Sequence, residues 1–169
     1  MIYFDNSATT QVLPEVLQTY QTVSEKIWGN PSSLHNFGES AWHLLEQSRA
    51  QIASLLGVLP SEILFTSGGT EGDNWVVKGT AIEKRSFGKH LITTAVEHPA
   101  IHNSMEQLEQ LGFDVTYLPV DENGRISVED LKAALRSDTI LVSVMAVNNE
   151  IGTIQPLKEV AEVLKDYPK

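Results

Sequence analysis

The stretch Phe65-Thr66-Ser67-Gly68-Gly69-Thr70-Glu71-Gly72-Asp73-Asn74 decides how the chain folds. Ahead of it, Glu62-Ile63-Leu64-Phe65-Thr66 reads as a short buried strand. Behind it, Glu71 to Lys84 reads as a helix, with Trp75, Val76, Val77, Ala81 and Ile82 as its apolar positions. Strand, glycine turn and helix start follow one another without a spacer. Such a junction aims backbone N–H groups and the positive end of the helix dipole at one spot, which suits an anion. Gly68 and Gly69 permit a close backbone approach, and the Thr70 hydroxyl adds a donor. The turn lacks the Lys-Ser or Lys-Thr pair of a nucleoside-triphosphate loop and the G-x-G-x-x-G spacing of a dinucleotide site. A small phosphate group fits better. The same residues also suit an ordinary tight turn, with Thr70 as N-cap and Glu71 complementing the dipole.

Outward from this junction the pattern repeats. His90 to Val96 reads as a second strand, Val115 to Leu118 as a third, and Ile140 to Val147 as a fourth that is apolar at nearly every position. Helices start at Pro99, after a Ser127 cap, and at Pro156. Upstream, Pro14 opens a helix to about Ile27, Gly29 to Ser33 forms a loop, and Glu39 to Leu56 is a helix with Gly57 as its C-cap. Met1 to Phe4 reads as a short extended segment. Alternating strands and helices predict an α/β fold with a mainly parallel sheet and helices on both faces.

Ligands of such sheets sit at the carboxyl ends of the strands. Three polar segments fall there: Ser67 to Thr70, Glu97-His98, and Asn148-Asn149-Glu150. His98 suits stacking or proton handling near neutral pH. Asn149 offers a neutral donor and acceptor for a phenolic oxygen or a substrate carboxylate, although Asn is also a common turn former. His98 and His102 lie four apart, but Pro99 stands where a two-histidine zinc motif has its glutamate, so no metal is expected. His35 reads as a surface-loop residue, and neither His43 nor His90 is given a role.

With 169 residues the chain is long enough for a real core, and 41% of it is hydrophobic. Its 22 acidic against 12 basic residues give a net charge of −10, which argues against nucleic acid and anionic membrane partners. No apolar run is long enough to span a bilayer, no signal peptide is visible, and a cytoplasmic setting is the default. The chain has no cysteine.

Five pieces together carry a resemblance: Tyr3 to Thr10, Gly29 to His35, Phe65 to Glu71, Glu97-His98, and Val147 to Gly152. In this order and spacing the chain resembles cysteine desulfurases of the class V aminotransferase group, which use pyridoxal 5′-phosphate to take sulfur from L-cysteine and leave L-alanine. The resemblance implies the first half of the fold type I large domain. Residues 1–14 would be an N-terminal segment, and 15–169 an incomplete cofactor-binding domain. It implies that Gly69 and Thr70 bind the cofactor phosphate. His98 would stack on the pyridine ring and assist proton transfer as the catalytic residue of this part. Asn149 would bond the phenolic oxygen close to the substrate. It also implies a homodimer that hands sulfur, as an enzyme persulfide, to acceptor proteins of iron–sulfur cluster or tRNA thiolation pathways.

Asp73 stands where such proteins often carry Ala or Ser, and Pro99 where a small or basic residue is common. Family members are roughly twice as long, near the upper end of common domain sizes. The Schiff-base lysine, the catalytic cysteine and the aspartate that pairs with the ring nitrogen would therefore lie beyond Lys169, leaving this stretch inactive alone. In that fold the first strand is separated from the other three by later strands, so Ile63 to Thr66 is expected to lack its neighbours. A selenocysteine lyase, an aminotransferase of the same group, or a non-catalytic fragment stay open as alternatives.

Overall fold

Helix-starting prolines and helix-ending residues set the element boundaries in the computed structural model, which describes residues 2–165 and 167. Met1 and Lys169, the two ends of the expected domain limits, lie outside the described residues. The chain forms two compact units, one up to Phe65 and one from Thr66 onward.

The first unit contains helices α1 (Pro14–Lys26) and α2 (Asn36–Leu56) and a one-turn 3-10 helix, Pro60–Glu62. Residues 2–4 form no regular element. Pro14 occupies the first turn of α1, where a missing N–H costs nothing. The apolar stripe of α1 is open, with Val16, Leu17 and Tyr20 all exposed. Helix α2 begins at Asn36 rather than Glu39, because the His35 ring caps it: Nδ1 accepts from the Gly38 N–H at 3.1 Å. It ends at Gly57, whose φ of 68° is the left-handed conformation that glycine adopts most readily.

The expected strand at Glu62 to Thr66 does not form. Glu62 belongs to the 3-10 turn, and no strand ladder includes residues 63–66. Ile63 is locally extended, at φ −96° and ψ 121°. What holds it is Arg49 of α2, whose guanidinium donates to the Ile63 carbonyl and lies 4.9 Å from the Phe65 ring centroid. Leu64 and Phe65 are exposed. A strand exists only through a neighbour's hydrogen bonds, and no described ladder includes these residues.

The second unit holds α3 (Gly69–Lys84), β1 (His90–Thr94), α4 (Pro99–Gln110), β2 (Asp114–Leu118), α5 (Val128–Ala134), β3 (Thr139–Val142) and α6 (Leu157–Leu164). The sheet order is β2-β1-β3, and both pairings are parallel. Leu91 lies opposite Val115 on one side and Leu141 on the other. Only the central strand β1 is buried at all five positions. On one face Leu91 packs with Val77 and Ala81 of α3 and Ile101, Met105 and Leu108 of α4. On the other, Ile92 packs with Leu118, Ile126, Leu131 of α5 and Val160 of α6. Each such side chain taken fully out of water contributes roughly 1.5–3 kcal/mol. This is the expected α/β architecture, a parallel sheet with flanking helices.

The fourth expected strand is shorter than its apolar run. The ladder of β3 ends at Val142, followed by one more bond from the Ser143 N–H to the Ile92 carbonyl at 2.9 Å. Beyond it the chain enters a loop closed by an antiparallel bridge between Val147 and Ile154. The partner strand β1 runs on to Thr94 in its pairing with β2, while the Met145 N–H turns to the Glu97 side chain. Ser127 caps α5 as its sequence position predicts, accepting from the Asp130 N–H at 3.3 Å.

Candidate functional site

At the start of α3, Gly68 is the N-cap residue and no side chain caps the helix. The first N–H groups of a helix have no partner within it, so this end is open to an acceptor from outside. Glu71 does not fill that place. Its carboxylate turns back to the Ser67 N–H at 2.6 Å, and the bonds from Ser67 hold it below the usual carboxylate range. The Thr70 hydroxyl has no hydrogen-bond partner among the described residues, while its carbonyl accepts from Asn74 Nδ2 at 2.8 Å.

Neither glycine is required by the fold. A Cβ on Gly68 or Gly69 would meet no atom within 4 Å, and neither backbone is left-handed. Only something approaching from outside gives the glycines a purpose. An uncapped helix start, two glycines facing open space and a free hydroxyl fit a phosphate group.

His98 is the N-cap of α4 and is exposed. Its Nδ1 accepts from the Ala100 N–H at 3.1 Å, which in the neutral ring places the proton on Nε2. The ring is thereby oriented by its own helix. His102 turns elsewhere: its Nε2 lies 3.4 Å from Glu106 Oε1, and its ring centroid is 5.4 Å from that of Tyr117. Asn149 is exposed in the turn after β3, with Nδ2 donating to Glu150 Oε1 at 3.0 Å.

Two residues not singled out by sequence reasoning hold these segments together. The buried Asn148 donates through Nδ2 to the Val96 carbonyl at 3.1 Å, while its Oδ1 accepts from the N–H groups of Glu150 at 2.9 Å and Ile151 at 3.1 Å. Glu97 Oε1 accepts from the Met145 N–H at 2.7 Å and from the Thr94 hydroxyl at 3.1 Å. Burial pushes the Glu97 carboxyl above its usual range against the pull of these bonds, and the charge of Asp73 in α3 pushes the same way. The signals in the sequence were an acid beside His98 and a second Asn beside Asn149; neither reveals its partner.

The open end of α3, His98 and Asn149 thus belong to elements packed in one layer or bonded at one rim, with α3 against α4 and β3, and the His98 loop against the segment carrying Asn149. Comparison with known proteins decides the family. The aminotransferase class V family matches residues 2–168. The chain belongs to the class V aminotransferase family.

As a class V aminotransferase chain it is 64% identical over 168 residues to a "NifS/IcsS protein homolog" of Lactobacillus delbrueckii subsp. bulgaricus, covering 99% of this chain and 44% of that protein. It is 48% identical over 166 residues to a "Putative cysteine desulfurase IscS 1" of Bacillus subtilis, covering 98% of this chain and 44% of that one. Among solved structures, a "NIFS-LIKE PROTEIN" superposes with a TM-score of 0.95 at 43% identity, over 98% of this chain and 45% of that chain. A structure titled "SspA in complex with cysteine" gives 0.92 at 39%, over 98% and 48%. The class V chain described here therefore spans under half the length of the curated relatives it matches.

Proposed function

We propose that this chain is part of a pyridoxal 5′-phosphate-dependent cysteine desulfurase, which converts L-cysteine to L-alanine and passes the sulfur atom to a thiol of the enzyme. The observation that carries the reading is the open, glycine-lined start of α3 beside the rim that holds His98 and Asn149. The relatives' names point the same way.

Each residue has a defined task in this reading. Gly69 and Thr70 hold the cofactor phosphate with backbone N–H groups and a hydroxyl. His98 lies against the pyridine ring, excludes water from that face, and donates or accepts a proton at Nε2. Asn149 binds the phenolic oxygen through its amide and borders the substrate. When bound, the cofactor supplies an electron sink for bonds broken next to the substrate's amino group. The chain has no cysteine, so the thiol that receives sulfur is not one of these residues.

Residues 1–14 serve here as an N-terminal segment, and 15–169 as part of the cofactor-binding domain, inactive by themselves. A homodimer in the cytoplasm that serves sulfur-acceptor proteins completes the proposal. No helix among the described residues is long and apolar enough to cross a membrane.

Borohydride reduction of the intact protein loaded with pyridoxal phosphate, followed by denaturing mass spectrometry, tests it. One reduced adduct per intact protein is expected, and an intact protein without an adduct overturns the reading.

A further inference from the structure

His98 and Asn149 sit on loops that follow different strands, and neither fixes the other. Among the described residues, the His98 side chain bonds only Ala100 of its own helix and the Asn149 side chain only its neighbour Glu150. Yet two hydrogen bonds join their loops, both donated from the loop after β3 to the loop after β1. The Met145 N–H donates to Glu97 beside His98, and the Asn148 amide beside Asn149 donates to the Val96 carbonyl.

The supporting contacts make these bonds specific. Thr94 is wholly buried; its hydroxyl donates to the same Glu97 oxygen that Met145 uses, and it accepts from the Val96 N–H at 3.4 Å. Asn148 commits both ends of its amide. Oδ1 accepts from the two N–H groups that follow Asn149 in the turn, and Nδ2 also reaches Met145 Sδ at 3.4 Å. Each loop is thus shaped and tethered by the residue next to its site side chain.

We propose that Glu97 and Asn148 are positioning residues that together set the spacing of His98 and Asn149, with Glu97 acting as a hydrogen-bond acceptor and not as an acid or base. The roles of His98 and Asn149 rest on the reading above; the clasp itself does not. An acceptor oxygen does the same work whether the carboxyl is ionised, protonated, or replaced by an amide. Burial of Glu97 in a place that disfavours its charge agrees with that role. Placement errors of about 1 Å at such sites cost on the order of 100-fold in function, so a loosened clasp is readable.

The test compares Glu97→Gln, Glu97→Ala and Asn148→Asp in the intact protein. Amide hydrogen exchange of peptides covering residues 143–152 and 94–100 is measured without cofactor, and the dissociation constant for pyridoxal phosphate by absorbance titration. Glu97→Ala is expected to speed exchange in both peptides about tenfold or more and to weaken the cofactor about 10–100-fold. Glu97→Gln is expected to keep both within about twofold, because its side-chain oxygen still accepts from Met145 and Thr94. Asn148→Asp keeps the turn but loses the donor to Val96. It is expected to weaken the cofactor like Glu97→Ala, and it decides the matter if Glu97→Ala does not fold.

Equal loss in Glu97→Gln and Glu97→Ala overturns the acceptor role. Parent-like exchange and affinity in Asn148→Asp overturn the clasp. A parent protein that takes up no pyridoxal phosphate overturns the functional reading instead, and the exchange measurements still decide the clasp.

Discussion

The His90 ring is wedged between two threonines of the flanking strands: Nδ1 lies 2.7 Å from Thr139 Oγ1 of β3, and Nε2 2.9 Å from Thr116 Oγ1 of β2. Thr139 also accepts from the Arg136 N–H at 2.8 Å. One histidine thus ties all three strands together near their starts.

This arrangement makes stability fall in mild acid. Burial lowers the pKa of His90, with Arg136 adding to the shift and Asp114 and Asp138 opposing it. Between the unfolded and the folded pKa the unfolded chain binds more protons, so stability rises with pH there. Urea unfolding of the intact protein is expected to show stability dropping as pH falls below about 6.5. His90→Gln is expected to flatten that slope and to lower stability at neutral pH by about 1–3 kcal/mol, the usual loss for orphaned buried partners. An unchanged slope in the variant contradicts this.

At the start of α3 stability and binding are expected to move in opposite directions. Gly69→Ala meets no atom within 4 Å, so unfolding free energy should hold or rise by about 0.5–1 kcal/mol through the loss of glycine's freedom in the unfolded chain. The new methyl intrudes where the phosphate approaches, and pyridoxal-phosphate affinity should drop about tenfold or more, the equivalent of about 1.4 kcal/mol. Thermal melts and absorbance titrations on one preparation check both halves.

Thr70→Val separates the hydroxyl from its shape. The hydroxyl has no hydrogen-bond partner among the described residues, so the melting temperature should be unchanged. A hydrogen bond to a charged group is worth about 1.5–3 kcal/mol, so affinity for the cofactor should fall about tenfold to a hundredfold.

The turn that carries Asn149 rests on a second loop. Gly124 has a φ of 77°, and a Cβ there would lie 2.6 Å from Ile151 Cδ1. The same loop is bonded by Gln155, whose Nε2 donates to the Gly124 carbonyl at 2.7 Å, and by Thr153, whose hydroxyl donates to the Asn123 carbonyl. Gly124→Ala combines backbone strain with a displaced Ile151 and is expected to destabilise by about 1–3 kcal/mol. It should also raise hydrogen exchange across residues 149–152.

Much of this was legible in the sequence because local chemistry set it. Prolines start α1 and α4, Ser127 caps α5, Gly57 ends α2, and the glycine pair marks the opening of α3. What the sequence did not reveal depends on pairing between distant segments. Residues 62–66 carry a strand's composition, yet no described ladder includes them, as the resemblance but not their composition implied. The apolar run to Val147 leaves its ladder at Val142, and beyond it the Met145 N–H donates to the Glu97 side chain instead of a strand. Three helical positions of α2 were missed because the capping histidine lies in a segment that otherwise reads as loop. Glu97, Asn148 and His90 were given no role of their own because their tasks lie in contacts with residues 26–52 positions away, which adjacency cannot disclose.

The most direct test of the functional account is stoichiometric. The intact protein, loaded with pyridoxal phosphate and given L-cysteine and a reducing thiol, is assayed for alanine and for released sulfide together. The account predicts the two in equal amounts, with both lost when pyridoxal phosphate is omitted. Sulfide without alanine, or neither product from a folded, cofactor-loaded protein, would contradict it.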